Sequence, residues 1–99
     1  MKIIVPHHTT REDARKIVER RLGELYAQYG HYANESQMTW SGDRLDFSGK
    51  AKGFSGSGTI EITDTEVIID AKLPLIAKPF EPRVRSTVER EAAAMFGRT

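Results

Sequence analysis

Apolar residues along this chain keep two different rhythms, and the change from one to the other outlines the fold. Lys2 to Val5 is a short β-rich run closed by Pro6. Thr9 stands three residues ahead of Glu12, the spacing of a capping box, and predicts a helix start. Ile17, Val18, Leu22, Leu25 and Tyr29 then recur at helical spacings that place them on one face. Gly30 predicts the stop, as a left-handed C-terminal residue.

From Ser36 the period shortens to two. Met38 and Trp40 share one side of a first run, and Ser41-Gly42-Asp43 supplies turn chemistry. Leu45, Phe47 and Ala51 continue on the next strand. Gly53 to Thr63 forms a third run with Phe54, Ile60 and Ile62 on one face, and Asp64-Thr65 turns the chain into Val67 to Leu73. Pro74 ends that strand. Ile76, Phe80, Val84, Val88, Ala92 and Phe96 then recur every fourth residue and predict a second helix face, with the regular helix starting close to Pro82. The order is β-α-β-β-β-β-α. Short turns make the four consecutive strands an antiparallel meander, so the fold class is α+β: a curved antiparallel sheet with two helices packed on one face. With no repeat, linker or low-complexity stretch, residues 1–99 are expected to form a single domain.

Composition narrows the function classes. Fifteen basic residues against fourteen acidic ones leave a formal charge of +1, without the basic excess usual for proteins that live on nucleic acid. The absence of cysteine excludes disulfides, thiol catalysis and cysteine-ligated metals. The apolar run at Ile3-Ile4-Val5 is too short for a signal peptide. No stretch approaches the ~20 apolar residues of a spanning helix, so no transmembrane segment is expected and the expected compartment is the cytoplasm.

The stretch Lys52-Gly-Phe-Ser-Gly-Ser-Gly58 opens like an RNA-recognition signature, K/R-G-F/Y-G/A-F-V-x-F/Y. It departs after three residues, with Ser55, Gly56 and Thr59 where a small residue and two aromatics belong. One aromatic makes no stacking platform. Nor does Gly-Lys-Ser/Thr follow, as a phosphate loop requires. Gly56 and Gly58 instead leave the middle of an apolar strand face empty, which marks a bend or close approach of another group. Trp40 or the C-terminal helix is the expected occupant, with a small-ligand pocket as the alternative.

Other candidates for chemistry are weak. His7 and His8 on an extended stretch point to opposite sides, and His31 lies beyond the first helix, so no metal site is expected. The expected role is a helix start with one ring packed or hydrogen-bonded near the threonines. Asp43 with Asp46, and Asp64 with Glu66, sit at turns, where Asp bonds nearby backbone N–H groups. Arg11, Arg15, Lys16, Arg20 and Arg21 are interleaved with acids as on a solvated face. No catalytic residue and no cofactor are expected, and the chain is read as a non-enzyme. Leu73-Pro-Leu-Ile-Ala-Lys-Pro-Phe80 carries more hydrophobes than one helix face can bury. Spare loop hydrophobes are common, but a cluster of them can mark a homodimer contact or a docking patch.

Val5-Pro6-His7, Trp40-Ser-Gly-Asp-Arg-Leu-Asp-Phe47, Gly58-Thr-Ile-Glu-Ile-Thr-Asp64 and Leu73-Pro74, in that order and spacing, resemble the polyhydroxyalkanoic acid system (polyhydroxyalkanoate granule-region) family of small bacterial proteins. The resemblance runs from about Val5 to Phe96, and the close pair Pro79 and Pro82 departs from it. It implies a process, storage-polyester granules, and no catalytic residues. It therefore suggests an accessory protein that is granule-associated, docking to the granule surface or to a granule protein, with Leu75, Ile76 and Phe80 as contact residues. The alternative function is a carrier holding an acyl or hydroxyacyl ligand between sheet and C-terminal helix, beside Gly56, Gly58 and Trp40.

Overall fold

The computed structural model describes residues 1–32, 34–51 and 53–96. The side chains of Tyr29 and Ala51, and Lys52 itself, lie outside the described residues. Five strands, β1 (Lys2–Pro6), β2 (Asn34–Ser41), β3 (Arg44–Ala51), β4 (Phe54–Ile62) and β5 (Glu66–Lys72), join two helices, α1 (Arg11–Tyr29) and α2 (Glu81–Phe96). The expected α+β order is the observed one. The sheet is antiparallel throughout, in the spatial order β1-β5-β4-β3-β2, so the first strand returns to pair with the last.

Register explains where the core lies. Trp40, Leu45, Ile60, Ile69 and Ile3 form one transverse row across all five strands, and Met38, Phe47, Gly58 and Ala71 form the next. Both rows belong to the helix-facing side, because alternate residues point the same way. The opposite side carries polar rows such as Thr39, Asp46, Thr59, Asp70 and Lys2. Leu45, Ile60, Ile62 and Val67 from the sheet meet Ala14 and Val18 of α1 and Phe96 of α2 in the buried cluster.

The helix starts one residue later than the capping-box spacing suggests. Thr10 is the N-cap, and its hydroxyl accepts from the Asp13 N–H at 3.1 Å. Thr9 is already committed, its N–H donating to His7 Nδ1 at 3.2 Å. Thr10→Ala is expected to lower stability by about 1 kcal/mol in urea unfolding, whereas Thr9→Ala should change it far less. Equal losses would put the cap elsewhere. Gly30 is not left-handed: its φ of −58° is right-handed, because the chain runs on into a 3₁₀ turn over Gly30–Tyr32.

The second helix also differs from its expected face. Ile76 and Phe80 belong to a separate 3₁₀ helix, Leu75–Phe80, with Pro79 inside it, and only Ala92 and Phe96 of the fourfold series are fully buried. A 3₁₀ segment turns faster than an α-helix, so the apolar series loses its common face at Glu81.

Both sheet edges are modified. β2 carries an extra residue between Asn34 and Gln37, with Glu35 in the left-handed region at φ 55° and ion-paired to Lys50 at 3.5 Å. At β1, the Lys2 carbonyl accepts from Arg85 Nη1 of α2 at 3.0 Å.

Candidate functional site

The glycine stretch resolves as a packing device. A Cβ at Gly58 would stand 2.5 Å from the Asp70 carbonyl oxygen, 2.7 Å from Phe47 Cζ and 3.0 Å from Ala71 Cα. The gap is filled by Phe47, its direct partner on β3, and by the close approach of β5. Trp40 and α2, the occupants expected from sequence, do not fill it. At Gly56 the nearest atom to a Cβ would be the Lys72 carbonyl oxygen at 3.7 Å.

Trp40 is half-buried on the edge strand, and the Arg15 guanidinium lies 4.5 Å from its ring centroid. A cation over an indole face is attracted by the ring quadrupole, and here it occupies the face that a base or sugar would need. Trp40 is thus separated from the other three candidate residues, on a strand three places from β5.

His7 is 2% exposed. Its Nε2 lies 2.8 Å from the Thr63 carbonyl oxygen and its Nδ1 accepts from Thr9. These partners require the neutral Nε2–H tautomer, so the ring ties the start of α1 to the β4–β5 turn. The sequence reading anticipated this packed role. Among the described residues no three metal-ligating side chains cluster.

Sequence pairing of Asp43 with Asp46 and of Asp64 with Glu66 missed the constellation that forms. Arg11 reaches Asp43 at 3.2 Å and Asp64 at 3.0 Å, joining two hairpin turns to α1. The hydrogen bond that Arg11 donates to Asp43, then the charge of Asp64, hold the Arg11 pKa above its ordinary value. No sequence spacing signals this cluster, because its members are 32 and 53 residues from Arg11.

Two apolar features remain. In the 3₁₀ junction, Leu75 is 83% exposed, Ile76 62% and Phe80 58%. Three large hydrophobes are thus exposed within six residues of one 3₁₀ segment that contains Pro79, and such clustering can mark an interaction site.

The second feature is a cavity of about 370 Å³ between the sheet and the two helices, with a wholly apolar lining. Phe47, Ile60 and Ile69 form its floor, Leu22 and Leu25 one wall, and Val84 and Val88 the other. It lies beneath α2, and two of its lining residues, Phe47 and Ala71, are the cross-strand partners of Gly58. Leu73 and Val84 carry its lining to either end of the exposed junction. Closed and empty, such a space would cost about 9 kcal/mol at roughly 24 cal/mol per Å³, comparable with the whole ~5–15 kcal/mol stability of a small domain. Opening it to water relieves the void but wets apolar walls. By contrast, a depression of about 550 Å³ on the outer sheet face is lined by polar groups including Gln37, Thr39, Arg44 and Lys72.

No helix of the described residues is long and apolar enough to cross a membrane. No curated protein and no solved structure is significantly similar to the chain. A family model described as "Putative polyhydroxyalkanoic acid system protein" matches residues 1–96, nearly the full length and the whole β-α-β-β-β-β-α order. The chain therefore belongs to the polyhydroxyalkanoic acid system family.

Proposed function

We propose that the chain is a non-enzymatic accessory protein that docks on the surface of polyhydroxyalkanoate granules through Leu75, Ile76 and Phe80. The exposure of these three side chains at one rigid turn is the observation that carries the reading. A storage polyester presents an apolar surface with ester carbonyls. Burying a large aliphatic or aromatic side chain contributes about 1.5–3 kcal/mol, so three anchors suffice for specific docking. The chain's nearly balanced charge adds little long-range repulsion or steering.

Co-sedimentation with washed granules tests this. Binding to granules stripped of protein is the expected result. Binding only to native granules would replace the polymer with a granule protein as partner, and no binding to either would remove the docking function.

A second reading has its own support. The apolar interlayer cavity suits a carrier that holds an acyl group between sheet and α2.

A further inference from the structure

We infer that the interlayer cavity binds a single medium-length aliphatic chain, leaving any oxygen-bearing head outside its apolar lining. The inference rests on the carrier reading and narrows it from acyl or hydroxyacyl groups to the hydrocarbon portion alone.

The polar residues around the cavity decide this. Arg21, Thr87 and Glu91 border it, yet its lining is wholly apolar. Arg21 Nε donates to Glu91 at 3.0 Å, and Thr87 Oγ1 donates to the Arg83 carbonyl at 3.0 Å. Their polar ends are engaged with one another or with backbone, so they offer the cavity only carbon. A hydroxyl or carbonyl placed inside would give up its water partners and find none. An alkyl chain gives up nothing.

Size and shape agree. The volume is about two and a half times the roughly 150 Å³ of an engineered apolar cavity that stays dry and takes up benzene. It extends from fully buried Val18, Val67 and Phe96 to half-buried Leu73 and Val84. Met95, unbranched and adaptable, lines it as well. The junction with Leu75, Ile76 and Phe80 connects Leu73 to Val84, so exposed apolar residues follow the lining directly along the chain.

Isothermal titration of the full chain with decanoate below its aggregation limit is the test, with 3-hydroxybutyrate as the short polar comparison. Saturable one-to-one binding of decanoate is expected, roughly 100-fold or more tighter than 3-hydroxybutyrate, given ~0.8 kcal/mol per buried methylene. Ala71→Phe and Val88→Phe, which both fill the cavity, should each weaken decanoate at least roughly tenfold.

Binding of 3-hydroxybutyrate without decanoate would overturn the aliphatic assignment while leaving the carrier reading standing. Binding of neither would overturn both. Undiminished decanoate binding in a folded cavity-filling variant would place the chain elsewhere and overturn the site. Should one of those variants fail to fold, the other and the wild-type titration still decide.

Discussion

Leu75→Ser/Ile76→Ser is expected to weaken association with protein-stripped polyhydroxyalkanoate granules by roughly 100-fold while leaving the unfolding midpoint essentially unchanged. The two side chains contact little in the folded chain, so their removal takes nothing from the core. Surface substitutions away from caps and buried groups usually alter stability by no more than ~0.5 kcal/mol. On an apolar surface they should lose most of their burial energy, about 3 kcal/mol together after allowing for incomplete contact. Phe80→Ser alone should give a smaller loss in the same direction. Quantitative co-sedimentation across a range of granule concentrations gives the affinities. A double variant that binds as well as wild type would show that another face meets the granule.

Gly58→Ala is expected to cost about 3 kcal/mol, whereas Gly56→Ala, two residues away on the same face, should be neutral or stabilising by up to ~1 kcal/mol. At Gly58 the added methyl meets backbone. The Phe47 ring can turn aside, but the Asp70 carbonyl and Ala71 Cα belong to β5, which is hydrogen-bonded to β4 on one side and β1 on the other. Relieving a 2.5 Å contact means parting that ladder, at the upper end of the usual overpacking penalty. At Gly56 the contact is ordinary, and alanine reduces the freedom of the unfolded chain. Urea titrations of both variants provide the comparison. Similar losses at the two positions would mean that strand flexibility, not close approach, explains the glycines.

Much of the fold was legible because its signals are local. Alternation at Leu45, Phe47, Ile60, Ile62 and Val67 marks a sheet with one buried face, and that reading needs no partner information. Gly30 and Pro82 placed the end of α1 and the start of α2 to within a residue, but the geometry beyond each boundary was less legible, for a shared reason. An α-helix and a 3₁₀ helix both bring apolar residues round every three or four positions, so the series from Ile76 to Phe96 reads as one apolar face across the boundary at Glu81. The occupant of the Gly58 gap depended on register, which alone places Phe47 rather than Trp40 opposite that glycine.

The exposure of Leu75, Ile76 and Phe80 was legible because the run exceeds what one helix face can cover. The cavity was expected between the sheet and the C-terminal helix, where it lies, but its depth beneath α2 was not legible. That depth depends on how far α2 stands from the sheet, and no residue pattern encodes that distance. Arg11 with Asp43 and Asp64 was invisible for the same reason, since two turns and a helix start meet only after folding.

A protein concentrated on a granule is confined to two dimensions, where neighbouring copies meet far more often than in solution. Bare strand edges under those conditions invite chain-to-chain zippering into fibrils. The kink at Glu35 breaks the straight hydrogen-bonding rail of β2, and Arg85 occupies a carbonyl on the opposite border. On the granule surface proposed above, a coat of this protein could therefore become dense while its molecules stay laterally independent, able to leave one at a time as the polymer beneath them grows or is consumed.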